Sequence, residues 1–223
     1  MGIYRHDISG NKENLTAVLG ITGGIGSGKT YVSNIFAHIG VPVYDSDSRT
    51  KSLYVYGSEL GESLCALLGD DIFRDGVFMP EVMGSRIFSN PGLLIEVERL
   101  VHPAVMDDFI RWKNSFAGKV PYVMMESAIL LEKPFVKRFT DRTLTVTANL
   151  ETRIQRVIRR DNASRGEVLA RLNKQWSDEQ RISCSDFVIF ADNNTALLPQ
   201  VLQVHLQMLE FAGSTKNRNG FNN

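Results

Sequence analysis

One short stretch, Gly23-Gly24-Ile25-Gly26-Ser27-Gly28-Lys29-Thr30, restricts this chain more than any other. It fits the pattern G-x-x-x-x-G-K-[ST], and its surroundings fit as well. Ala17-Val18-Leu19-Gly20-Ile21-Thr22 before it is short, apolar and β-leaning, which predicts a buried strand. Tyr31 to His38 after it carries Val32, Ile35 and Phe36 at helical spacing. Strand, glycine turn and helix are what a phosphate cradle needs. The glycines let successive backbone N–H groups turn inward, and the helix N-terminus adds partial positive charge. In such a cradle the backbone from Gly24 through Ile25, Gly26, Ser27 and Gly28 wraps ATP phosphates. Lys29 reaches the β- and γ-oxygens, and the Thr30 hydroxyl holds Mg²⁺. A glycine-rich turn with a chance lysine would need neither flanking element. The stretch predicts a nucleotide-binding protein.

The remaining composition narrows the class. Lys+Arg and Asp+Glu both total 25, so no overall field draws the molecule to nucleic acid or to a membrane. No apolar run approaches the roughly 18 residues of a spanning helix. Cys65 and Cys184 lie far apart without a C-x-x-C partner, which suits thiols in a reducing compartment. The polar start of the chain does not read as a signal peptide, so the expected address is cytoplasmic.

Taken in order, residues 1–16 read as a flexible N-terminal extension and 213–223 as a flexible C-terminal tail. Val41-Pro42-Val43-Tyr44 is a second strand running into Asp45-Ser46-Asp47, and acids just past a strand end are where open α/β sheets keep their chemistry. From Ser48 to about Gly118 no strand pattern is visible. Turn signals there separate helical faces such as Leu60, Leu64, Leu67 and Leu68, or Leu93, Val97, Leu100 and Val101. So long a helical stretch exceeds a simple crossover and predicts an inserted domain over 48–118. Val120 to Glu126, Thr143 to Thr147 and Asp186 to Phe190 supply three more strands, with helices at 150–160 and 194–211. The expected fold is α/β, a phosphate-loop kinase core with a five-stranded parallel sheet, an inserted helical substrate domain and a short helical lid. Core segments 17–47, 119–150 and 184–212 flank the insert and a lid region over 151–183.

Arg153, Arg156 and Arg160 recur at helical spacing within a narrow arc, with Arg159 beside them and Arg165 just beyond. Nearby acids are few: Glu151 at the start and Asp161 at the end. In a phosphate-loop protein such a stripe reads as a mobile basic flap that neutralises a transferring phosphoryl group and excludes water. A GTPase is disfavoured. Downstream of the loop no Asp is followed by x-x-Gly, and Asn173-Lys174-Gln175-Trp176 has Trp where N-K-x-D would have Asp. A small-molecule kinase needs an acceptor insert and an arginine-rich lid, and both are present.

The set G-G-I-G-S-G-K-T, Y-D-S-D, R-I-F-S-N-P, H-P, A-I-L-L-E and R-x-x-x-R-D, with a late Gln and Arg, resembles the dephospho-CoA kinase family from about Val18 to Asn194. The resemblance implies ATP-dependent phosphorylation of the ribose 3′-hydroxyl of dephospho-CoA, with Mg²⁺ as the metal. It implies Asp47 as the base receiving the hydroxyl proton, with Asp45 near metal and acceptor. One of these acids also suits the N-cap of the next helix. By the same likeness Lys51, Arg86 and His102 face the acceptor. Arg156, Arg160 and Arg165 are lid positions, with Arg160 first for the transferred phosphate, and Asn193 lies near the adenine. Gln175 and Arg181 match the helices returning from the lid. The chain departs from the family in four places, one of them Phe190-Ala191, which interrupts the common V-I-D-N run beside the adenine. Tyr31 leaves only its backbone N–H for the α-phosphate, Glu126 stands where Asp is common, and Ala128 replaces a usual Pro. A kinase for another small hydroxylated acceptor and a non-catalytic nucleotide sensor are the competing readings.

Overall fold

The computed structural model describes residues 16–219. The expected N-terminal extension therefore lies outside the described residues except for Thr16, which is buried; so do residues 220–223 of the expected tail. Two compact units divide the chain, Tyr44–Trp112 and the segments on either side of it.

β1 (Ala17–Thr22) is buried along its whole length, the signature of a strand covered on both faces. It feeds through the glycine turn into α1 (Lys29–His38), which buries Val32, Ser33 and Phe36. β2 (Val43–Asp45) begins after Pro42 rather than at Val41. Pro42 has no N–H to give a ladder, though its carbonyl accepts from Met124 N–H at 2.9 Å.

The inserted unit opens with α2 (Ser46–Leu53) and α3 (Glu59–Leu68). A 3₁₀ turn at Asp70–Ile72 follows, then a small hairpin of β3 (Phe73–Arg74) and β4 (Val77–Phe78), which the sequence reading did not anticipate. Asp75 (φ 50°) and Gly76 (φ 78°) form its two-residue turn, the paired left-handed geometry that Asp-Gly favours. Tyr54, Phe73 and Phe78 stack around the hairpin, with the Tyr54 and Phe78 rings 4.4 Å apart. α4 (Pro80–Phe88) and the long α5 (Pro91–Asn114) complete the unit, and α5 carries Pro103 in its interior. Tyr44 packs edge-on against Phe109 and 5.3 Å from Trp112, which explains why this unit spans 44–112 rather than 48–118.

Returning to the first unit, β5 (Tyr122–Glu126) is followed by turns over 128–132. α6 (Pro134–Lys137), β6 (Arg142–Thr147), α7 (Leu150–Asp161), α8 (Arg165–Leu172) and α9 (Asp178–Ser183) come next. β7 (Phe187–Phe190) and α10 (Leu197–Asn219) close the chain, α10 running helical past residue 212. The sheet order is β2-β5-β1-β6-β7, with β1 paired in parallel to β5 and β6, and β6 to β7. Leu19, Ile21, Phe36, Met124, Val146, Ile189 and Met208 belong to one core that joins the sheet to α1 and α10. Among the described residues no helix is long and apolar enough to cross a membrane.

Candidate active site

The glycine turn has a backbone that only glycine adopts without strain. Gly26 and Gly28 hold φ of 78° and 94°, a region that L side chains avoid. A Cβ on Gly26 would also stand 2.5 Å from the Arg153 carbonyl oxygen. Ser27 N–H closes the turn on Gly24 O at 3.0 Å, while the Ser27 hydroxyl is buried with no partner among the described residues. α1 then starts with Gly28 at its N-cap, no side-chain cap and no acid in its first turn. The contrast is sharp: α2, α3, α7, α8 and α9 are capped by Asp45, Ser58, Asn149, Ser164 and Ser177. The N–H groups opening α1, and the positive end of its dipole, remain available to an anion.

Lys29 and Thr30, the first helical residues, converge on Glu126 at the end of β5. Thr30 Oγ1 donates to Glu126 Oε1 at 2.8 Å, and Lys29 Nζ lies 3.1 Å from the same oxygen. Glu126 is only 4% exposed, so the pair is largely withdrawn from solvent. The Tyr31 side chain is 65% exposed.

The outer peptide of the loop is gripped from two sides. Ile25 N–H donates to Gln175 Oε1 at 2.9 Å, and Arg153 Nε donates to Ile25 O at 3.0 Å. The Ile25 side chain packs on the small core of Ile154, Val157 and Val168 between α7 and α8. Not every arginine of this region is exposed. Arg153 is 5% exposed and donates to Asp178 Oδ2 at 2.5 Å. Arg181 is wholly buried, bonded to Glu132 at 2.6 Å and to the Trp176 carbonyl. Counting acids close in sequence missed Asp178 and Glu132, which reach the arginines through the fold. Gln175 was placed only on the way back from the lid, and its hold on the loop has no local sequence signal.

Arg156 reaches across to the strand-end loop after β7. It donates to Ala191 O at 2.7 Å and to Asn193 Oδ1 at 3.1 Å, and lies 3.4 Å from Ser27 O. The structure thus brings together the glycine turn, Lys29, Thr30, Glu126, Arg156 and Asn193. Arg160 points elsewhere, to Asp161 at 2.7 Å, and Arg171 takes the same carboxylate at 2.6 Å. Those two guanidiniums, Arg160 first, hold the Asp161 carboxyl well below its usual range. Arg165 donates to Glu151 at 2.8 Å. Gln155 and then Arg165 lower the Glu151 carboxyl.

Within the inserted unit the capping task falls to Asp45. Its Oδ1 accepts from Asp47 N–H at 3.1 Å and Ser48 N–H at 3.2 Å, and its Oδ2 accepts from the Ser48 hydroxyl at 2.6 Å. Asp47 is in the first turn of α2, and Lys51 is exposed in the last. Arg86 ties α4 to the end of α3, donating to Leu68 O and to Asp71 Oδ2. His102 lies inside α5, which continues through Pro103.

The family model for dephospho-CoA kinases matches residues 17–197. A dephospho-CoA kinase of Bacteroides fragilis is 36% identical over 202 residues, covering 89% of this chain and 98% of that protein. A solved structure from Thermus thermophilus superposes with a TM-score of 0.74 at 30% identity, covering 88% of this chain and 97% of that one. A dephospho-CoA kinase from Campylobacter jejuni shares the fold with a TM-score of 0.66 at 16% identity, over 88% and 99% of the two chains.

Proposed function

The chain belongs to the dephospho-CoA kinase family, and from that premise we propose how its residues carry out the reaction. The enzyme transfers the γ-phosphoryl group of ATP to the ribose 3′-hydroxyl of dephospho-CoA, giving coenzyme A and ADP, the last step of coenzyme A synthesis. The observation that carries the residue assignment is the uncapped start of α1, with Lys29 and Thr30 gathered on one buried carboxylate.

In this reading the backbone from Gly24 to Thr30, with Tyr31 N–H, wraps the phosphates, and Lys29 exchanges Glu126 for the β- and γ-oxygens. Thr30 Oγ1 is a hard oxygen donor of the kind Mg²⁺ takes beside substrate phosphates, and the Glu126 carboxylate behind it is within reach of a metal-bound water. Bound there, Mg²⁺ would supply charge that neutralises the transferring phosphoryl group. Arg156 and Asn193, already joined, flank the nucleoside end of ATP. Arg160 and Arg165 exchange Asp161 and Glu151 for the transferred group.

Asp47 accepts the 3′-hydroxyl proton as that oxygen attacks the γ-phosphorus; the bond to the β–γ bridging oxygen breaks and ADP leaves. Asp45 acts indirectly, as the cap that fixes the Asp47 peptide. Lys51, Arg86 and His102 serve the acceptor's charged portions, Arg86 also bracing α3. We place the reaction in the cytoplasm, where ATP is supplied. ADP release measured with dephospho-CoA, nucleoside monophosphates and shikimate as acceptors tests the assignment. Only dephospho-CoA should raise ADP above background; equal rates with another acceptor would overturn it.

A further inference from the structure

Asp108, on α5, is buried to 7% exposure, yet no step of the phosphoryl transfer uses it. Its carboxylate collects donors from two residues that bracket the catalytic segment. Oδ2 accepts the Tyr44 hydroxyl at 2.8 Å and Arg49 Nε at 2.8 Å, while Oδ1 accepts Arg49 Nη2 at 2.8 Å. The Arg111 guanidinium stands 3.7 Å from Oδ1. Tyr44 is the residue before Asp45-Ser46-Asp47, and Arg49 follows one residue after Ser48. Between these two anchors runs the first turn of α2, closed on itself by the Asp45 cap.

The anchors are themselves fixed. The Tyr44 ring is 1% exposed and lies against Phe109 and Trp112, and the Arg49 guanidinium sits 5.6 Å from the Tyr44 ring centre. A two-pronged arginine–carboxylate contact restricts direction as well as distance, which a single ammonium could not do. With both ends of the turn tied to one carboxylate, α2 can neither rotate about its axis nor slide along it without breaking a charged contact. Stability alone does not call for this arrangement, since apolar packing commonly replaces a buried ion pair at no loss.

We propose that Asp108 is a positioning residue that aims Asp47 through Tyr44 and Arg49. The proposal rests on the reading of Asp47 as the base. A misplacement of about 1 Å at a reacting group can cost on the order of 100-fold in rate, so loosening the bracket should be felt in turnover.

The test uses the full-length enzyme with Asp108→Asn, Tyr44→Phe, Arg49→Gln and Arg49→Lys, each alone and combined with Asp47→Asn. Folding is checked by circular dichroism. Asp108→Asn and Arg49→Gln should lower kcat roughly tenfold or more while KM for ATP stays within about twofold. Arg49→Lys should recover part of the loss. Added to Asp47→Asn, none of them should lower kcat further, because the group they aim is gone. If Asp47→Asn is crippled but Asp108→Asn lowers its turnover by the same factor as in the native background, the proposal fails alone. If Asp47→Asn keeps native turnover, the base assignment fails and takes the proposal with it. Should Asp108→Asn not fold, Tyr44→Phe and Arg49→Lys carry the same comparison, since each removes less.

Discussion

Lys29 and Glu126 meet at 3.1 Å, and the carboxylate oxygen that faces the ammonium also takes the Thr30 hydroxyl. The two side chains that the motif dedicates to phosphate and metal are thus held by a third group on the neighbouring strand. A carboxylate placed behind a metal ligand typically governs metal affinity or activity by about 10–100-fold. Glu126→Gln should therefore lower kcat by roughly that factor and raise the Mg²⁺ concentration giving half-maximal rate. Steady-state rates at titrated free Mg²⁺ measure this. An unchanged Mg²⁺ requirement would remove Glu126 from the metal's surroundings.

Asp47→Asn should lower kcat about 100-fold or more, within the range of a lost general base. ATP binding, followed by calorimetry, should stay near native, because Asp47 is not among the residues that form the phosphate loop. Native turnover in a folded Asp47→Asn enzyme would contradict the base role.

Arg181→Ala should be a stability defect. It removes a fully buried guanidinium from Glu132 and takes away the charge that stands 3.8 Å from Asp178 Oδ1, an oxygen with no hydrogen bond among the described residues. Breaking a buried pair from one side costs about 3–5 kcal/mol, which lowers the thermal midpoint by about 10 °C in a protein of this size. Urea unfolding reads the difference directly, and a loss below about 1 kcal/mol would mean that the arginine is not the brace described.

His205 on α10 shares a hydrogen bond with the Tyr122 hydroxyl at 2.8 Å, and burial lowers its pKa below 6.5. The unfolded chain then binds this proton more readily than the folded one. Stability from this residue is complete above about pH 6.5 and declines as pH falls through that value toward the folded pKa. The native protein should lose more thermal stability between pH 7 and 5 than His205→Gln does. Parallel curves for the two proteins would rule out this linkage.

The sequence made the nucleotide site legible because a contiguous motif specifies it: Gly26, Gly28, Lys29 and Thr30 carry their meaning in local backbone geometry. The strands were legible from short apolar or β-branched runs, as in β1 and β6. Other features had no local signature. The β3–β4 hairpin pairs only two residues on each side, too few for alternation to show. Pro103 has no local signal for the helix interior it occupies, within a helix that buries Val97, Val101, Val105 and Phe109. The arginine stripe is legible as a spacing, while the partners of its buried member are not. Arg153 finds Asp178 and Arg181 finds Glu132 only after folding, and neither acid stands near its partner's helical face in sequence.

The position of β1 in the middle of the sheet has a consequence for how the enzyme is made. Its two flanking strands hold residues 122–126 and 142–147, so translation must pass through the whole insert before either edge is covered. At about 5–20 residues per second that interval lasts on the order of ten seconds, with an apolar strand open on both sides. Arg153 and Gln175, which hold the Ile25 peptide of the glycine turn, emerge later still. Nascent chains arrested ahead of Gln175 should carry the complete glycine motif and yet retain no nucleotide on a filter.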